Sequence, residues 1–141
     1  MNVFTRARRT LLAALIQPAP LLGVHIHAER TRPIAQEEDQ AIVLRLVEAD
    51  ALHPVICHAS WRIQAEIECS ARADSQAQAA ETCEALAAAA WQRLAPLPHI
   101  DATPTRASWQ HDAEDTPIAT LTLHFHIELR ALDTDLTALQ P

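Results

Sequence analysis

Residues 118–130 read Ile-Ala-Thr-Leu-Thr-Leu-His-Phe-His-Ile-Glu-Leu-Arg. Leu121, Leu123, Phe125, Ile127 and Leu129 alternate with Thr122, His124, His126, Glu128 and Arg130. Side chains along a strand point to opposite faces in turn, so this stretch predicts a half-buried β-strand with one apolar and one polar face. The same design recurs at 61–70. There Trp61, Ile63, Ala65, Ile67 and Cys69 face inward, and Arg62, Gln64, Glu66, Glu68 and Ser70 outward. A shorter version runs over 24–30, opened by Gly23, with His25, His27 and Glu29 on the polar side. Residues 41–47 are apolar on both sides apart from Arg45, which places that strand more centrally in a sheet. A further strand is read at 105–111, with a turn at 112–116 leading into the last one. Residues 48–59, around His53-Pro54, read as irregular. Residues 31–40 read as a charged, exposed loop, long against the roughly 2–5 residues usual in a hairpin connection.

Two segments carry helical spacing instead. Asn2 caps a first helix running to about Ile16, with Val3, Phe4, Ala7, Leu11, Ala14 and Leu15 as its apolar stripe. Pro-Ala-Pro at 18–20 ends it. Ser75 and Gln78 form a capping box, with Asp74 beside the positive helix end. The second helix runs to about Leu94 on strong alanine propensity, with Ala80, Cys83, Ala87, Ala90, Trp91 and Leu94 as its stripe. Pro96 and Pro98 stop it. The predicted order is α-β-β-β-α-β-β. The expected fold is a single α+β domain over residues 1–141: a two-layer sandwich whose mixed, mostly antiparallel sheet carries both helices on one face. The loop 31–40 and the tail 132–141 are expected to be flexible, and the polar sheet face to have no cover from its own chain.

Composition narrows the chemistry. The chain has 18 acidic and 11 basic residues, a formal net charge of -7, and every basic residue is arginine. Such a protein is poorly suited to gripping duplex DNA, which depends on neutralising phosphates. The complete lack of lysine is most simply a genomic composition bias. No run approaches the ~20 apolar residues of a membrane span, and the stretch 11–16 is too short for a signal-peptide core, so the protein is expected to stay in the cytosol. Cys57, Cys69 and Cys83 are odd in number and lack CxxC spacing, which suits reduced thiols. A single glycine, Gly23, leaves no phosphate-cradling loop and no dinucleotide fingerprint.

The candidate constellations are modest. His25/His27 and His124/His126 are i, i+2 pairs on strand faces, and four imidazoles from adjacent strands could bind zinc. Both pairs sit in the period-two polar pattern, where histidine is an ordinary choice, so no metal and no cofactor are expected. Cys57-His58 is adjacent in sequence, a poor geometry for a nucleophile and its base. Glu37, Glu38 and Asp39 read as a solvated loop. Glu66 and Glu68, set among Arg62, Gln64 and Ser70, read as a surface ladder. Trp61, Trp91 and Trp109 read as core or interface residues. No catalytic group is singled out, and the chain is not expected to be an enzyme.

The whole pattern resembles the tail terminator family of long-tailed bacteriophages, the minor tail protein U type, over about residues 3–131. The resemblance rests on the arginine-containing first helix and on Leu22-Gly23-Val24-His25-Ile26 leading to Glu29-Arg30-Thr31-Arg32-Pro33-Ile34. It continues through the bare strand Ala41-Ile42-Val43-Leu44-Arg45-Leu46, and through Trp61-Arg62-Ile63-Gln64-Ala65-Glu66-Ile67 running into Ala71-Arg72-Ala73-Asp74 and an alanine-rich helix. The strand 119–130 closes it. What the resemblance implies is mechanical: a six-membered ring at the head-proximal end of the tail tube that stops its polymerisation and meets the head connector. The implied partners are further copies of the chain, the tube protein and the connector, with no membrane and with DNA passing through without specific binding. The implied location is the virion tail of a phage, prophage or tailocin, assembled in the bacterial cytoplasm. Arg30, Arg32, Glu37, Glu38, Asp39, Arg62, Glu66, Glu68, His124, His126, Glu128 and Arg130 are the expected interface residues. The loop 31–40 is expected to order on docking, so that deleting 33–39 spares folding and abolishes capping. The alternatives are another head–tail neck adaptor, a cytosolic metal- or ligand-binding domain using the histidine face, and a hydrolase built on Cys57.

Overall fold

The computed structural model describes residues 1–17, 21, 23–29, 38–55, 58–98, 100–112, 116–132 and 135–139, with 53–55 described by their backbone alone. Arg30, Arg32, Glu37 and Cys57 lie outside the described residues. Helix α1 spans Val3–Ile16, and its Asn2 cap accepts the Thr5 N–H at 2.8 Å. Helix α2 spans Gln76–Leu94, capped by Ser75 Oγ on the Gln78 N–H. Five strands form one sheet: β1 Val24–Ala28, β2 Gln40–Val55, β3 His58–Arg72, β4 Thr103–Asp112 and β5 Ile118–Leu132. Their spatial order is β1-β2-β3-β5-β4. Only β1 and β2 run parallel; the other three pairings are antiparallel. The α+β class with a mixed, mostly antiparallel sheet is therefore as the sequence reading expects, while the element bounds match only in part. No helix among the described residues is long and apolar enough to cross a membrane.

Both helices pack on one sheet face. Leu11 and Leu15 of α1 and Cys83, Ala87 and Leu94 of α2 share a buried cluster with Ile42, Leu44, Ile63, Ile67, Phe125 and Ile127. Alanine at 79, 87 and 90 lets α2 lie close to the strands beneath it. Trp91 and Phe125 meet in an edge-to-face arrangement with 5.5 Å between ring centroids, and Phe4 meets Trp61 likewise at 5.4 Å. The buried stripe of α2 is rotated from the expected one: Ala79 and Leu86 are buried, while Ala80 and Trp91 are only partly so.

Three expectations are corrected. The segment 48–59, read as irregular, is strand through Val55 and again from His58. The reason is a bulge. Leu46 pairs with Ala65 and Glu48 with Gln64, so Val47 is left without a partner and is 60% exposed. One extra residue inverts the alternation beyond it, and the period-two signal breaks. The strand placed at 24–30 ends at Ala28. Glu29 takes φ 58, a left-handed conformation, and its carboxylate accepts the Leu46 N–H at 3.1 Å and pairs with Arg8 of α1 at 3.0 Å. The connection after β1 is long because β1 and β2 are parallel, and a parallel pair needs a crossover in place of a tight hairpin. Of the tail expected to be loose, residues 135–139 are tied in: the Val3 N–H donates to Leu136 at 2.8 Å, Ala138 donates to Met1 at 3.1 Å, and Leu139 donates to Arg130 at 3.0 Å.

Cys69 and Cys83 are free and buried. Burial, then the neighbouring Cys83 and Glu68, push the Cys69 thiol up to about 12; burial likewise raises Cys83. The unfolded chain releases these protons from about pH 9, before the folded one does. For Cys69 this contribution is fully present below pH 9 and is lost as pH rises toward 12. Urea unfolding should show stability falling from pH 9 upward, with Cys69 contributing as much as about 1.4 kcal/mol per pH unit. Cys69→Ala should flatten that slope; an unchanged slope in the variant would assign it to other groups.

Candidate functional site

The opposite face of the sheet is polar, and register sets its side chains in transverse rows. One row crosses four strands: Arg45 on β2 opposes Glu66 on β3, Glu66 opposes His124 on β5, and His124 opposes Arg106 on β4. The contacts are 3.6 Å from Arg45 Nη1 to Glu66 Oε1, 3.4 Å from Glu66 Oε2 to His124 Nδ1, and 3.5 Å from His124 Nε2 to Arg106 Nη2. Arg45 also grips Glu68 in the neighbouring row. Its single guanidinium thus spans two carboxylates that would otherwise repel along β3. Toward one end, Arg62 pairs with Glu128 at 3.1 Å, and Ser60 stands opposite the exposed Arg130. His126 lies between Gln64 and Thr103. Glu66, Glu68, Arg62, His124, His126, Glu128 and Arg130 therefore share one face, as the alternation predicts.

The other end of this face is not bare, contrary to expectation. Ala41, Val43, Ser70 and Thr120 are buried on it, and the two hydroxyls lie 3.0 Å apart. His25 and His27 of β1 stand beside Ala41 and Val43. Their rings lie nearly parallel, 6.5 Å between centroids. Both approach one oxygen of Glu38: His27 Nε2 at 2.8 Å and His25 Nδ1 at 3.7 Å. Glu38 is buried, its side chain only 5% exposed, where the sequence reading expected a solvated loop. Burying a carboxylate is costly unless polar groups meet it; here His27 shares a hydrogen bond with it and His25 stands close by. Asp39 is exposed, but its carbonyl accepts the Arg72 N–H at 2.8 Å. Deleting 33–39 would remove both anchors, so a spared fold no longer follows from that deletion. The sequence signal for this cluster was the HxH pair followed by an acidic run; which acid would be buried depended on the parallel pairing of β1 and β2.

The two HxH pairs do not meet. β2 and β3 stand between β1 and β5, three strand spacings of about 4.8 Å each. Among the described residues, no group of three or more His, Cys, Asp or Glu side chains is arranged to hold a metal ion. An open groove of about 510 Å³ lies between α1 and the end of β5, lined by Arg6, Asp101, Glu128 and Arg130 among others. Its charges are of both signs, which suits contact with another polar surface.

Comparison with protein-family models and with curated proteins found no match.

Proposed function

We propose that the chain is a structural protein of the phage tail. It caps the head-proximal end of the tail tube, stops its polymerisation and presents a surface to the head connector. The observation that carries this reading is the row Arg45–Glu66–His124–Arg106, with its flanking Arg62–Glu128 pair, on a face that neither helix covers. A face carrying both charge signs suits a heterologous ring contact, in which one patch meets a different patch on the neighbour. Arginine fits that task because its planar fork matches carboxylates. Further support is the likeness of the whole sequence pattern to the tail terminators, with both helices on one side of a mixed sheet. The net charge of -7 suits a conduit wall that DNA slides past, since phosphates are repelled. A ring structure with a strongly basic lumen would remove that last point.

The test is negative-stain imaging of the protein with tail tubes assembled without a terminator. The expected result is a cap at one end of tubes of limited length, with rings showing a central hole. Binding to purified head connectors with no effect on tube length would favour a neck adaptor in its place. No binding to either would overturn the reading.

A further inference from the structure

β4 is one of the two outer strands of the sheet, and all ten of its residues are exposed. Trp109 is 52% exposed. An edge of this kind offers unpaired backbone groups to another strand unless something blocks them. The first part of β4 is blocked: Pro104 cannot donate, and the register shifts between Pro104 and Arg106. Residues 106–112, Arg-Ala-Ser-Trp-Gln-His-Asp, carry neither device. Register against β5 puts Arg106, Ser108, Gln110 and Asp112 on the polar face, and Ala107, Trp109 and His111 on the helix side. The far end is held in place by Gln76 of α2, whose amide donates to the Asp112 carbonyl at 3.0 Å and meets His111 Nδ1 at 3.2 Å.

We propose that this segment binds the same segment of a second copy of the chain, antiparallel about a two-fold axis centred on Trp109. The argument is self-complementarity. In that register Arg106 faces the second copy's Asp112, and Asp112 faces its Arg106. Ser108 faces Gln110, Ala107 faces His111, and the two Trp109 rings lie opposite each other. Opposite charges, paired hydroxyl and amide, and paired aromatics are the cross-strand combinations that stabilise antiparallel ladders. Sliding the pairing by two residues one way puts Arg106 opposite Gln110 and Asp112 opposite Pro104; sliding it the other way puts Asp112 opposite Ser108 and carries Arg106 past the end of the partner strand. Only the register centred on Trp109 matches both charges. The contact is isologous and closes at two copies. It shares Arg106 with the end of the polar row, but its test reads dimerisation alone and does not depend on the tail-capping proposal.

The test is sedimentation equilibrium of the full chain at low ionic strength. The series compares the wild type, Arg106→Asp, Asp112→Arg, the double swap, and an equimolar mixture of the two single variants. Wild type should form a reversible dimer. Each single reversal sets like charges together twice per dimer and should weaken it by about tenfold or more. The double swap should recover dimerisation, and so should the mixture, in which every charged position again meets its opposite. Both residues are exposed, so circular dichroism should be unchanged throughout. A wild type that stays monomeric would overturn the proposal. So would a dimer indifferent to the single reversals, or losses that neither the double swap nor the mixture restores.

Discussion

Phe125→Ala is expected to lower the free energy of unfolding by about 3–5 kcal/mol. Phe125 is fully buried and heads the largest buried side chains. It sits on β5, with Ala65 of β3 on one side and Pro104 of β4 on the other, and Trp91 packs against the ring in an edge-to-face arrangement. Truncation loses the transfer energy of the ring and leaves a cavity. The backbone around it is held by ladders on both sides and closes poorly over the gap. Against a typical stability of about 5–15 kcal/mol, that loss leaves the variant close to unfolding at 37 °C. Urea denaturation followed by circular dichroism measures it directly. A loss below about 1.5 kcal/mol, the range of a tolerated core swap, would mean that the core is not built around this ring.

The second large effect is expected at Arg45. Arg45→Met keeps much of the side-chain volume but removes the charge between Glu66 and Glu68, whose side chains are 16% and 19% exposed. Removing one partner of a buried ion pair typically costs about 3–5 kcal/mol; partial solvent access here reduces the expectation to about 2–3 kcal/mol. Much of that cost is repulsion between the carboxylates left behind, not the net worth of the original contacts. The triple variant Arg45→Met/Glu66→Gln/Glu68→Gln should therefore recover most of the loss. A triple variant no more stable than the single one would assign the effect to packing along β2.

The parts of this fold legible in the sequence are those where one face of an element is buried and the other is not. β5 and β3 could be read to within two or three residues because Ile63, Ile67, Phe125 and Ile127 are buried between partly exposed polar neighbours. The helix starts were legible because Asn2 and Ser75 do local work on backbone N–H groups three residues on. What escaped was non-local. The bulge at Val47 inverts the alternation of β2, so a strand that continues to Val55 reads as irregular. Glu38 looks like any acid in a charged stretch until β1 brings two histidines to it. β4 is exposed on both faces, so its sequence carries little burial pattern and its bounds came out short by two residues at the start and one at the end. The candidate face was legible as a list of residues. Its rows were not, because they depend on how strands distant in sequence are registered.

The position of β5 between β3 and β4 has a consequence for how the chain is made. β3 ends at Arg72 and β5 begins at Ile118, so 45 residues must be synthesised before β3 meets its second neighbour. At ordinary translation rates that is roughly 2–9 s. During this interval β4 emerges with nothing to pair with, and β3 presents an open ladder edge. The last strand must then slot between two that are already present, which makes completion of the sheet a single late step. A polysome carrying many such half-finished sheets brings their edges close together. Coexpression with chaperones that shield strand edges should accordingly raise soluble yield more than slower cooling or lower salt.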